Sequence, residues 1–191
     1  MIRNHRFLLA VCVAMSSPAI GQQPTPAARP PVAADPKDVA SADAIIAALY
    51  DANSVMVNEK RGADRFRSLF VPDARLMPTV QIAGQGARLV TRSVEEYIRG
   101  ASGGPPRHGF SEREIARKTE SFGAILQAFS TYETLRDSAD KNPIHGINSI
   151  QLFNDGKRWW VVTVLWAAER PGTPIPAAYK PLDKGRGSSG P

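Results

Sequence analysis

The sequence predicts an α+β domain in which three amphipathic helices lie on one side of an antiparallel sheet. Three observations predict it. Residues 110–169 are crowded with β-branched and aromatic side chains, all three tryptophans among them. Turn residues cut that stretch at Gly123, Asp137–Pro143 and Asp155–Gly156, which leaves four long strands. The segment ahead of it carries apolar residues at helical spacing, and helices gathered on one side of such strands make an α+β layer.

The N-terminus reads as an export signal over residues 1–21. Arg3 and Arg6 precede an apolar run from Phe7 to Met15, and Ala19-Ile-Gly21 suits cleavage before Gln22. The run is too short to cross a bilayer, so the mature chain is expected to carry no membrane span and to be periplasmic or secreted. Cys12, the one cysteine, leaves with the signal, which excludes disulfides, cysteine nucleophiles and thiolate metal sites. Residues 22–40 form a Pro/Ala-rich linker. The net charge of +6 is not focused: residues 41–170 hold 17 Lys and Arg against 15 Asp and Glu. Without a basic stripe, no nucleic-acid partner is expected.

The folded domain is expected over residues 41–170. Asp35-Pro36 or Ser41 caps the first helix, where Ile45, Leu49, Ala52 and Met56 recur at helical spacing and Ile46 and Tyr50 widen the face. Gly62 separates a second helix with Phe66, Leu69 and Phe70 inward. Pro72 ends it, and Arg75–Val80 reads as a short strand before the Gly84-Gln-Gly86 turn. Ser93-Val-Glu-Glu96 is a capping box opening a third helix, with Val94, Tyr97 and Ile98 inward. Gly100–Gly109 is a Gly/Pro-rich flap. Residues 171–191 form a Pro/Gly-rich tail, in which Ile175 and Tyr179 are placed to fold back over the sheet and the chain from Lys184 is expected to be disordered.

An Asp155-Gly156 type I′ turn sets the register of the last hairpin. It puts Leu152 opposite Trp159, Ile150 opposite Val161 and Asn148 opposite Thr163, on the face expected under the helices. The other face then carries Trp160, Val162, Val164 and Trp166 in one row. A row with two indoles is costly to leave wet, so a second copy of the chain, or the tail, is expected to cover it.

Ser130 and Tyr132 share a strand face with Leu126 and Ala128. Pointing inward with Asn148 and Thr163, they would converge as polar groups in an apolar cavity, the usual composition of a ligand pocket. Glu112 and Glu114 also share a strand face, and one carboxyl of such a pair can raise the other's pKa. Arg113 and Arg117 around them favour instead an exposed edge strand. His108 and His145 have no partner at ligand spacing, so neither metal nor cofactor is expected. Gly103-Gly104 lacks the Lys-Ser/Thr of a phosphate loop, and no serine sits in a Gly-x-Ser-x-Gly elbow.

Three stretches carry a family resemblance: Arg65-Phe-Arg-Ser-Leu-Phe-Val-Pro-Asp-Ala-Arg-Leu76, Phe129-Ser-Thr-Tyr-Glu133, and Gly146–Leu152 with Arg158-Trp-Trp-Val161. They resemble nuclear-transport-factor-2-like domains, which include SnoaL-like cyclases and ketosteroid isomerases, and look like an exported branch of that superfamily. The resemblance implies a cone-shaped, strongly curved sheet wrapped around three N-terminal helices, with a pocket at the open end, and a tendency to pair as homodimers. Ketosteroid isomerases place a general-base Asp five residues beyond the Asp that matches Asp73; that position is Pro78 here, preceded by Met77. Their oxyanion-donating helix Tyr corresponds to Tyr50. Late-strand acids of the cyclases have no counterpart at Thr163–Leu165.

The reading that follows is an exported domain binding a small hydrophobic ligand or a partner, without assigned catalytic residues. Tyr50, Met77, Ser130, Tyr132, Asn148, Trp159 and Thr163 are expected at its ligand site. The alternative is a cofactor-independent isomerase, dehydratase or cyclase working through Tyr50 and Glu112. Fold alone does not choose between them.

Overall fold

A computed structural model of the chain describes residues 32–58, 62–101, 110–136 and 142–181. The export signal, most of the linker, His108, the Gly103-Gly104 part of the flap and the chain beyond Lys184 lie outside the described residues, as does the Met56 side chain.

Both candidate caps are used. Asp35 accepts from the Lys37 backbone N–H at 3.1 Å and opens α1 (Pro36–Val39), and Ser41 accepts from the Ala44 N–H at 3.0 Å and opens α2 (Ala42–Asn58). α3 (Ala63–Ser68) follows Gly62. β1 (Phe70–Ile82) starts earlier and runs much longer than the Arg75–Val80 expected, with Pro72 inside the strand instead of merely ending the helix. It is followed by two short strands that the sequence reading missed, β2 (Gly86–Leu89) and β3 (Arg92–Ser93). α4 (Val94–Ala101) opens on the expected capping box: Ser93 N–H donates to Glu96 Oε2 at 2.8 Å, and Glu96 N–H donates back to Ser93 Oγ at 3.3 Å. Then come β4 (Ser111–Phe122), β5 (Ile125–Leu135), β6 (Ile144–Asn154) and β7 (Trp159–Ala168), the four strands read from the sequence.

The strands form one curved sheet in the order β2-β1-β7-β6-β5-β4, with β3 also on β1. All pairs are antiparallel except β1 with β7, which is parallel. The inner face packs on the helices. Ile45 and Ile46 of α2, Phe66 of α3, and Ile150, Leu152 and Val161 of the sheet are at most 1% exposed, and each such side chain stabilises by roughly 1.5–3 kcal/mol. Arg65 clamps the helices: its guanidinium reaches both Asp38 oxygens, at 2.7 and 3.1 Å, and also pairs with Asp51.

Two irregularities correct the expected register. The β6–β7 loop has four residues, not two, because the Asp155 carboxylate accepts from the N–H groups of both Lys157 and Arg158, at 2.8 and 2.9 Å. Gly156, at φ 87°, supplies the left-handed residue. Asn154 therefore pairs with Trp159, Phe153 with Trp160 and Leu152 with Val161. A shift of two residues leaves faces unchanged, so Trp159 and Val161 still point inward. The pairing then slips at Val162, so that Gln151 faces Thr163, Ile150 faces Val164 and Asn148 faces Trp166. Every later residue of β7 is thereby turned over. β1 is irregular at the same level, between Phe70 and Arg75, where Pro72 has no N–H to give the ladder.

The expected outer row of Trp160, Val162, Val164 and Trp166 is consequently not one face. Val164 and Trp166 point inward, Trp160 outward, and Val162 is the bulge. The tail covers part of the outer face in the way foreseen as an alternative. Ile175 is buried, its N–H bound to Glu169 Oε1 at 2.9 Å, and the Tyr179 carbonyl accepts from Thr131 Oγ1 at 2.6 Å while its ring meets Phe129.

Candidate functional site

A cavity of about 70 Å³ lies between α2, α4 and the inner face of the sheet. Its apolar wall is Leu49, Phe66, Leu76, Val164 and Trp166; its polar wall is Tyr50, Asn53, Tyr97, Glu112 and Asn148. Tyr50 and Asn53 stand one helical turn apart on α2, which brings both to the same side. Tyr97 comes from α4, stacked on Phe66 and edge-on to Trp166.

The polar wall is organised as two hydrogen-bond chains, each ending on a glutamate of β4. In the first, Tyr97 donates to Asn53 Oδ1 at 3.0 Å, Asn53 bonds the Glu112 carboxylate, and Thr134 Oγ1 donates to Glu112 Oε2 at 2.9 Å. In the second, Asn148 Nδ2 donates to the Tyr50 hydroxyl at 3.0 Å, the Tyr50 and Ser130 hydroxyls lie 2.6 Å apart, and Ser130 Oγ donates to Glu114 Oε1 at 2.6 Å. Arg117 flanks Glu114 at 3.3 Å and also binds Asp43 at 2.7 Å. Its Nη1 is the one buried side-chain polar atom without a hydrogen-bond partner among the described residues.

Glu112 and Glu114 are therefore not the solvated carboxylates of an exposed edge strand. β4 is at the sheet edge, but the two side chains lie opposite Thr134 and Tyr132 on the inner face. Helix α2 covers the strand's open edge here, with Glu112 N–H donating to Ser54 Oγ at 2.9 Å. Glu112 as a residue is half-buried, but its carboxyl is enclosed, and the carboxyl decides the titration. Burial raises its pKa, and the hydrogen bonds from Thr134 and Asn53 oppose the shift without cancelling it. Burial likewise pushes the Tyr50 and Tyr97 phenols well above their usual value, and Tyr132 to about 12.

The expected site residues divide. Tyr50 and Asn148 line the cavity, and Ser130 is buried directly behind Tyr50. Tyr132 is inward and buried but packs over Gly146 away from the cavity wall. Trp159 faces inward at the margin of the core and does not reach the cavity. Thr163 is on the outer face, reversed by the Val162 bulge, and Met77 pairs with outward-facing Leu165. Asn53, Tyr97 and Trp166 are cavity residues that the sequence reading did not assign. Asn53 was legible: it lies one turn from Tyr50 on the buried face of α2, a polar residue in an apolar stripe. His145 sits between Glu133, at 3.2 Å, and Glu169, at 3.8 Å, on the outer side of the sheet. Among the described residues no group of three or more His, Cys, Asp or Glu is arranged to hold a metal ion, and no helix is long and apolar enough to cross a membrane.

No family model and no curated protein matches the chain. Solved structures do. A nuclear-transport-factor-2-like protein of unknown function from Pseudomonas putida KT2440 is 13% identical at a TM-score of 0.50, over 74% of this chain and 93% of that one. A protein of unknown function with a cystatin-like fold from Nostoc punctiforme PCC 73102 is 11% identical at 0.49, over 68% and 93%. Hexachlorocyclohexane dehydrochlorinase LinA-type3 from Novosphingobium barchaimii LL02 is 16% identical at 0.48, over 74% and 90%. At 13% identity the likeness to the first of these concerns the fold alone, and with the α+β order and the curved sheet described above it gives the chain the nuclear-transport-factor-2-like fold.

Proposed function

We propose that the chain binds a small, mainly apolar ligand in this cavity and moves a proton on it, as a cofactor-independent isomerase, dehydratase or cyclase with Glu112 as the general acid–base group. The observation that carries this reading is the enclosed Glu112 carboxyl, facing the cavity with its pKa raised by burial. A carboxyl tuned upward is, when ionised, a stronger base toward a weakly acidic C–H than a solvated one, and it stays protonated to higher pH, where it can still serve as the acid toward a leaving oxygen. Asn148 and Tyr50 supply the polar contacts that orient a ligand oxygen, and the Trp166 and Phe66 rings supply the apolar wall.

Binding without turnover is the second reading, and the small volume favours it. Native mass spectrometry of protein purified from its own host finds any retained molecule; that molecule is then incubated with wild type and Glu112→Gln. Conversion by wild type that is lost in the variant supports the proposal. Retention without conversion leaves binding alone, and equal conversion by both removes Glu112 from the chemistry.

Export belongs to the same proposal and rests on the order of Arg3, the apolar run and Ala19-Ile-Gly21. N-terminal sequencing of the folded protein is expected to begin within a few residues of Gln22; a retained Met1 contradicts it.

Self-association is supported by a row other than the one first expected. Phe122, Ile125, Phe153 and Trp160 are successive cross-strand partners on the outer face, and the first three are 85%, 60% and 38% exposed. Exposed apolar residues in register across four strands mark a contact surface. Solution mass is expected to show a dimer that Trp160→Glu dissociates, whereas a wild type monomeric at high concentration sinks the idea.

A further inference from the structure

We propose that Ser130 and Glu114 are positioning residues that relay a proton between the sheet edge and the Tyr50 hydroxyl, so that the charge on Glu114 decides whether Tyr50 can donate into the cavity. The inference rests on the acid–base reading of the cavity and assigns its second proton carrier.

The argument is one of counting hydrogens. Ser130 has one O–H, and it lies 2.6 Å from Glu114 Oε1 and 2.6 Å from the Tyr50 oxygen. An ionised carboxylate can only accept, so the Ser130 proton goes to Glu114. Tyr50 must then spend its own proton on Ser130, while Asn148 Nδ2 donates to the Tyr50 oxygen at 3.0 Å. In this state Tyr50 has no proton to offer a ligand. When Glu114 is protonated, its O–H donates to Ser130, the Ser130 O–H turns to Tyr50, and the Tyr50 O–H is released toward the cavity that its ring lines.

Donation to a ligand oxygen reverses the chain by three linked transfers. The Tyr50 proton passes to the ligand, the Ser130 proton passes to Tyr50, and the Glu114 proton passes to Ser130. One proton has left Glu114, one has reached the ligand, and both hydroxyls are neutral again. Glu112, on the separate Tyr97–Asn53 chain, is left to act at another atom of the ligand.

Glu114 is suited to the outer end because its side chain is one-quarter exposed whereas Ser130 is fully buried. The groups facing it are Arg117 on its own strand, held by Asp43 of α2, Glu112 two residues away, Tyr132 across the β4–β5 pair, and Tyr50 of α2. Arg113, Glu133, His145, Glu169 and Lys180 share the 550 Å³ outer pocket that Glu114 also lines.

The test needs no ligand, so its failure is separable from failure of the functional reading. Full-length protein carrying ¹³C at the tyrosine ζ carbons and at the glutamate δ carbons is titrated by NMR. The Tyr50 ζ resonance is expected to move together with the Glu114 δ resonance. Ser130→Ala is expected to lose that coupling while Glu114 still titrates; Ser130→Thr, which keeps the hydroxyl, restores it. A Tyr50 resonance that stays flat through the Glu114 titration in wild type overturns the relay, as does coupling that survives in Ser130→Ala. Should Ser130→Ala fail to fold, the wild-type and Ser130→Thr titrations decide the matter.

Discussion

Gly146→Ala is expected to destabilise the fold by about 3 kcal/mol, at the upper end of the usual cost of overpacking. Gly146 lies directly opposite Tyr132 on the inner face, and the Tyr132 phenol crosses the space where a side chain would stand. A Cβ there would sit well inside van der Waals contact of the Tyr132 hydroxyl and of the Ala167 carbonyl oxygen. The phenol is the end of a rotatable side chain, whereas the Ala167 carbonyl is backbone of the neighbouring strand and cannot give way as cheaply. For that reason Tyr132→Phe in the same chain should recover only a minor part of the loss. Equilibrium denaturation of the single and double variants measures both effects. A single variant within about 0.5 kcal/mol of wild type, the range of an ordinary surface change, contradicts the packing described here.

Glu112→Gln is expected to lower turnover of the cavity's ligand by about 10²–10⁴-fold, the usual contribution of a general acid–base group. Glutamine preserves the shape, and its one carbonyl oxygen still accepts from Thr134 or Asn53, so ligand binding should change far less than turnover. The same substitution has a consequence for stability. Burial raises the folded carboxyl above its unfolded value, so the folded state keeps a proton that the unfolded chain has already released. The contribution of Glu112 is complete below the unfolded value, about pH 4.3, and declines as pH rises through the folded value. Relative to wild type, Glu112→Gln should therefore gain stability with rising pH across that window. A site that costs stability in this way is what a stability–activity trade-off predicts. Denaturation at several pH values reads the slope; a variant whose advantage falls with pH contradicts the assigned direction.

The fold was largely legible because its signals are local. Ser93 and Glu96 cap α4, Ser41 and Asp35 start helices, and Gly123 and Gly156 break the strands, each through chemistry confined to a few neighbouring residues. The site was less legible because it depends on register, which is set between strands. β7 reads Trp-Trp-Val-Val-Thr-Val-Leu-Trp, apolar on both faces, so no alternation marks where the bulge falls. That one residue at Val162 exchanged Thr163 for Val164 and Trp166 on the inner face. Glu112 and Glu114 were hidden for a different reason. Their charge and their arginine neighbours suit a solvated edge, and only the tertiary partners Thr134, Asn53, Ser130 and Arg117 make an inward carboxylate tolerable. Long β1 was missed because a proline inside a strand reads as a stop; Pro72 is accommodated at the irregular stretch of its pairing with β7.

The central claim is that the Glu112 carboxyl is held in the cavity with its affinity for protons increased. Its titration, followed by the ¹³C resonance of the δ carbon in the full chain and assigned with Glu112→Gln, tests that claim most directly. A midpoint clearly above the ordinary glutamate value, with a Tyr97 ring resonance that responds through Asn53, is the predicted result. A midpoint at or below that ordinary value would mean a solvated or charge-stabilised carboxylate, and the acid–base account of this cavity would be wrong.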